Sequence, residues 1–127
     1  MQPILCSKIP ARKSFSVRLQ SSHATKTPFA IYCSGQLPTG LDGKVVKGTM
    51  KDMTRACLSN LKDVLTAADS SLDKIVKVQI FLTRMKDFAE MNEEYVQWIK
   101  HAPARSCVAV KQLPKGVDIE IECVALP

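Results

Sequence analysis

The sequence predicts an α+β fold, a single domain in which one mixed β-sheet carries two helices on one face. Three observations lead there. The chain has 127 residues, the size of one compact domain. Two segments, 51–68 and 86–100, place apolar residues at helical spacing. Several short β-branched or alternating segments accompany them.

The elements follow in order. Residues 1–28 have no clear period and are rich in Ser and basic residues. Phe29-Ala30-Ile31-Tyr32-Cys33 is a short apolar run ending at Ser34-Gly35-Gln36, which reads as a buried strand that stops at the glycine. Pro38 to Gly43 is a turn, and 44–50 a short extended piece. In the first helix Met53, Cys57, Leu58, Leu61, Val64, Leu65 and Ala68 form one apolar face, and Asp52 near its start suits the positive end of the helix dipole.

Residues 75–82 form a strand in which Val76, Val78, Ile80 and Leu82 share a face. The second helix buries Phe88, Met91, Tyr95, Trp98 and Ile99, and Pro103 closes it. Ser106–Val110 and Val117–Ala125 are two further strands joined by a turn over 111–116. In the last, Ile119, Ile121, Cys123 and Ala125 point one way and Glu120, Glu122 and Val124 the other. The sheet face away from the helices also carries apolar residues, and oligomerisation is the economical way to cover it.

Composition excludes several classes. Hydrophobic residues make up 46% and charged residues 24%, an ordinary globular balance. No apolar run approaches the roughly 18 residues of a membrane span. The net charge of +6 is concentrated at one end. Residues 1–41 hold five basic residues and no acid, whereas 42–127 hold 13 basic and 12 acidic residues. Nucleic-acid binding would therefore rest on the N-terminal segment alone.

That basic, Ser-rich, acid-free segment has the composition of a mitochondrial transit peptide; the other readings are an exposed first strand or an adapted arm. We divide the chain into an N-terminal arm, 1–28, and a domain, 29–127. The five cysteines, at 6, 33, 57, 107 and 123, form no metal-ligand spacing and no secreted disulfide framework, which favours a reducing compartment, cytoplasmic or mitochondrial. No metal site is expected.

Phosphate-loop, zinc-protease and serine-hydrolase motifs are absent from the sequence. The two histidines, His23 and His101, sit in the arm and at a helix end, where an exposed imidazole is the plain reading. Pro103-Ala104-Arg105-Ser106-Cys107 and Asp118-Ile119-Glu120-Ile121-Glu122 remain. Alone, Arg105 reads as a surface arginine, and Glu120 and Glu122 as a solvated strand face. Together, an arginine at a strand start and a glutamate on the next strand could face one cleft. Arginine clamps a carboxylate through two parallel hydrogen bonds, and a glutamate can hold or deprotonate a water.

These segments resemble the Rid family, also called YjgF, the reactive intermediate deaminases. The resemblance is carried by Cys33-Ser34-Gly35-Gln36-Leu37-Pro38, Asn60-Leu61-Lys62 with Val64-Leu65, Val76-Lys77-Val78 with Phe81-Leu82, and Asp87-Phe88-Ala89 with Met91-Asn92 and Tyr95. Its most specific part is Pro103-Ala104-Arg105-Ser106-Cys107-Val108, Leu113-Pro114-Lys115-Gly116 and Ile119-Glu120-Ile121-Glu122. It runs in continuous order over about residues 29–127.

The resemblance implies a chorismate-mutase-like α+β fold and a homotrimer with three clefts between subunits. It also implies hydrolysis of 2-imino or enamine acids, such as 2-aminoacrylate and 2-iminobutanoate, to 2-keto acids and ammonia, without a cofactor and without a membrane partner. By the same resemblance Arg105 binds the substrate carboxylate, Glu120 positions the attacking water, and Gly35 and Cys107 line the cleft. Cys107 as a nucleophile is not expected, since nothing marks it as activated. Asn92 and Ser34 read as supporting residues, and Glu122 as a sheet-face or interface charge.

The chain departs from the family pattern at its start. The family's cleft tyrosine falls on Ser21, residues 10–22 look unlike the family, and Asp69 stands where a glycine is usual. His23 could supply a replacement polar group. The departures leave open a repurposed member acting on a different imine in a biosynthetic pathway. The basic arm leaves open a non-catalytic trimer that binds RNA or protein.

Overall fold

The computed structural model describes residues 7–9 and 22–127. Eight principal elements run in order: β1 (Ser7–Ile9), β2 (Ala24–Lys26), β3 (Ile31–Gln36), α1 (Met50–Ala67), β4 (Ile75–Leu82), α2 (Phe88–Trp98), β5 (Ala104–Ala109) and β6 (Ile119–Ala125). One six-stranded sheet has the order β1-β2-β3-β6-β4-β5. Only β4 and β5 run parallel; every other neighbouring pair is antiparallel. This is the mixed sheet of the expected α+β class, with both helices on one face.

Two strands lie within the segment assigned to the arm. β2 pairs with β3 and β1 with β2, so the sheet begins upstream of residue 29. Of the readings left open for residues 1–28, the first-strand one describes 7–9 and 24–26. Residues 10–21, and with them Ser21, lie outside the described residues.

Helix α1 starts where its chemistry allows. The Thr49 hydroxyl accepts from the Asp52 N–H at 3.2 Å, and the Asp52 carboxylate accepts from the Thr49 N–H at 3.0 Å, a reciprocal cap. The helix ends in a left-handed turn at Asp69, φ 60°, where Ser70 N–H reaches back to Leu65 O and Asp69 N–H to Thr66 O. A glycine would hold that conformation without the Cβ penalty. Cys57, Leu58, Leu61 and Leu65 are wholly buried against the sheet, as their spacing predicts. The Asn60 amide donates to Leu37 O and Thr39 O, pinning the loop that follows β3.

Helix α2 begins after a 3-10 turn over Met85–Asp87 and is shorter than its periodicity suggested. Met91, Tyr95 and Ile99 are buried, with Phe88 and Trp98 packed at the margin. Glu94 ties α2 to α1: it accepts from Arg55 Nε at 2.9 Å and from Trp98 Nε1 at 3.0 Å. The 44–50 segment forms no strand; its one ladder contact is a single bridge, Thr39 to Val45.

Strand alternation needs one correction. Ile75, Val78, Ile80 and Leu82 are buried, but Val76 is exposed. The β4–β6 register shifts between Ile75 and Lys77, and the extra residue turns Val76 out of the core. β3 also runs on through Gly35 to Gln36 instead of stopping at the glycine, and β5 begins earlier than expected, at Ala104.

Candidate active site

Arg105 and Cys107 sit on β5, the edge strand beside β4. They pair with Val78 and Ile80, both wholly buried, so their side chains lie on the helix side of the sheet. Helix α2 passes over that edge. It presents Phe88, Asn92 and Tyr95 at i, i+4 and i+7, one face of the helix.

Asn92 Oδ1 accepts from Arg105 Nη1 at 2.6 Å. The guanidinium carbon lies 4.7 Å from the Tyr95 ring centre and 5.6 Å from that of Phe88. Among the described residues no carboxylate pairs with Arg105. The cation is thus held by a neutral amide and two aromatic rings, which leaves its charge uncompensated for an anionic ligand.

The Tyr95 hydroxyl is, among the described residues, the buried side-chain polar atom with no hydrogen-bond partner. Burial pushes this phenol up and the neighbouring guanidinium pulls it partly back. Burial likewise raises the Cys107 thiol, with Arg105 opposing. A raised thiol stays protonated at neutral pH, as expected of a packed thiol rather than a nucleophile.

Glu120 is placed differently. On β6 it alternates with buried Ile119 and Ile121 and pairs with Phe81, so it points to the open side of the sheet. Gly35 on β3 lies beneath its carboxyl group. A Cβ built on Gly35 would stand 2.7 Å from Glu120 Cδ and 2.9 Å from Cγ, closer than atoms pack. The β3–β6 register shifts between Cys33 and Gln36, the stretch that contains Gly35. Burial, and then the like charge of Glu122, raises the Glu120 carboxyl above the ordinary glutamate range.

The expectation that Arg105 and Glu120 face one cleft on neighbouring strands fails within a chain. β5 and β6 are consecutive in sequence, but β4 lies between them. The two side chains also fall on opposite faces of the sheet. One chain therefore brings together Arg105, Cys107 and Asn92 at one place, and Gly35 with Glu120 at another.

The histidines join neither group. His101 Nε2 lies 2.8 Å from Ile75 O, a bond in which the nitrogen carries the proton. His23 Nδ1 lies 3.4 Å from Gln36 Nε2. Spacing alone marks the aromatic bed of Arg105 as core. The signal that marks it is Asn92, a polar residue between Phe88 and Tyr95 on the helix face turned to the sheet.

The open face of the sheet exposes Tyr32, Val76 and Val108, each 43–53% accessible. No described helix is long and apolar enough to cross a membrane, and no described cluster of His, Cys, Asp or Glu is arranged for a metal ion.

Comparison with known proteins places this arrangement. The model of the family described as Endoribonuclease L-PSP matches residues 12–126. The chain is 56% identical over 109 residues to the mitochondrial protein mmf1 of Schizosaccharomyces pombe, covering 83% of this chain and 67% of that protein. It is 38% identical over 100 residues to TdcF of Escherichia coli, a candidate reactive intermediate deaminase, covering 76% and 78%. The crystal structure of yeast Mmf1 superposes with a TM-score of 0.90 at 38% identity, covering 96% and 98%. That of E. coli TdcF with bound serine gives 0.82 at 30% identity, covering 100% and 99%. The chain therefore belongs to the Endoribonuclease L-PSP family, the group also called Rid or YjgF.

Proposed function

We propose that the protein hydrolyses small 2-imino or enamine acids to 2-keto acids and ammonia, at sites completed between copies of the chain. The observation that carries this is the pair of half-sites. An uncompensated guanidinium stands at the sheet edge, and a carboxyl of raised proton affinity stands over Gly35 on the open face. A homotrimer in which the edge of one chain meets the open face of the next would bring them together, and would cover Tyr32, Val76 and Val108.

In that cleft Arg105 grips the substrate carboxylate through the donors Asn92 leaves free. Glu120, ionised, takes a proton from a water whose oxygen attacks the imine carbon. The proton passes to the imine nitrogen, giving a carbinolamine; its hydroxyl proton then moves to the nitrogen as the C–N bond breaks, and ammonia leaves with the keto acid behind. Cys107 and Gly35 shape the walls. The carboxyl's raised proton affinity suits a group that must take a proton and return it near neutral pH.

Bound serine in TdcF, a small amino acid, is of the size and charge this cleft would take. The basic Ser-rich start and the mitochondrial names of relatives support a mitochondrial location. The endoribonuclease in the family description makes RNA cleavage the second reading.

The test couples the protein to a threonine dehydratase and follows ammonia. Wild type accelerates release and Arg105→Ala does not, with the assembly intact by light scattering. Equal activity in Arg105→Ala, or RNA cleavage without imine hydrolysis, overturns the reading.

A further inference from the structure

Cys33 and Cys123 face each other across the β3–β6 ladder. Directly opposed antiparallel residues have Cα atoms roughly 4.5–5.5 Å apart, inside the roughly 4.4–6.8 Å window a disulfide spans. Both side chains point into the helix side and both thiols are free. No other described cysteine has such a partner. Cys107 pairs with Ile80, and Cys57 lies on α1 with its Sγ 4.0 Å from Ile119 O.

We propose that Cys33 and Cys123 are an oxidisable dithiol that closes to an intrachain disulfide without moving the backbone. The two thiols are unequal: contact with Cys123 lowers Cys33, while Cys123 is raised by Cys33 and by burial. The two sulfurs are thus in direct contact, and either can attack an oxidant first. Both thiols are nearly closed off from solvent, Cys33 at 6% and Cys123 at 3% exposure, so the oxidant that suits them is a small one such as hydrogen peroxide.

One of the two sulfurs, as its thiolate, attacks one peroxide oxygen, the O–O bond breaks, and hydroxide leaves and takes up a proton to become water. The resulting sulfenic acid is attacked by the other sulfur, which forms the S–S bond, releases a second water and gives up its proton. Two thiols are oxidised by two electrons, and one peroxide is reduced to two waters. The link lies two residues before Gly35 and three after Glu120, on one side of the register shift between Cys33 and Gln36. Oxidation would fasten the two strands that carry that half-site. The linkage itself does not depend on the imine reading.

The full-length protein is treated with one equivalent of hydrogen peroxide, free thiols are alkylated, and peptides are mapped by mass spectrometry. The expected result is one peptide pair joined through Cys33 and Cys123, about two mass units below the sum of its reduced halves. Cys107 remains alkylated and the assembly mass is unchanged. A link closing so long a loop raises the melting midpoint by about 5 °C or more. Cys33→Ala and Cys123→Ala each lose both the link and the rise. Cys33 and Cys123 alkylated as free thiols, a link to Cys107, or a link between chains overturns the proposal. Ammonia release is not the readout, so failure here and failure of the imine reading are told apart.

Discussion

The edge of β5 and the open face over β3 and β6 hold opposite kinds of charge by opposite means. At the edge, the fold builds a permanent cation into an aromatic bed and supplies only a neutral amide as partner. Over the open face, it brings a carboxyl against bare backbone, with burial and Glu122 both raising its proton affinity. Neither region satisfies itself. A cation without an anion and an acid without a base each become useful only when something else arrives: a ligand, or the other half-site.

The sharpest way to break the comparison is Arg105→Ala, which should cut kcat/KM about 10³-fold, the scale of removing a charge-assisted, two-point grip. Arg105→Lys keeps the charge but not the fork and should restore only part.

Glu120→Gln should cost about 10²-fold, the usual scale of a lost general base. The sign of its pH dependence follows from the raised carboxyl. Folded Glu120 holds its proton more tightly than the unfolded chain does, so its contribution to stability is complete below the ordinary glutamate range. That contribution is lost as pH rises through the higher folded value. Thermal melts should therefore show Glu120→Gln more stable than wild type near neutrality, the difference closing in acid. Wild-type activity, which needs the ionised form, should fall off on the acid side at a pH above the ordinary glutamate range.

Gly35→Ala sharpens the open-face half. Its Cβ must displace the Glu120 carboxyl, which should cost about 1–3 kcal/mol of stability and roughly tenfold in kcat/KM. An unchanged activity would mean that the close approach of Gly35 to Glu120 does not matter. The smallest effect belongs to Tyr95→Phe, which removes an unpartnered buried hydroxyl while keeping the ring over Arg105. It should raise stability by about 1 kcal/mol in denaturant melts.

Both helices, the strand alternation of β6 and the α+β class were legible because hydrophobic period reports burial directly. Arg105, Glu120, Gly35 and Cys107 were legible through resemblance; spacing alone left Arg105 a surface arginine. Three things were hidden. Val76 is turned out by a register shift that local alternation does not encode. The separation of Arg105 from Glu120 depends on β6 pairing between β3 and β4, a non-local choice. The opposition of Cys33 and Cys123 depends on the same pairing, for the two lie ninety residues apart in sequence.

Mixing two inactive chains tests the central claim most directly. Arg105→Ala and Glu120→Gln are unfolded together, refolded as mixed assemblies, and assayed for ammonia release. If each site draws Arg105 from one copy and Glu120 from its neighbour, about one cleft in four is intact, and about a quarter of wild-type activity returns. Activity no greater than the sum of the two variants refolded separately would contradict a site shared between copies.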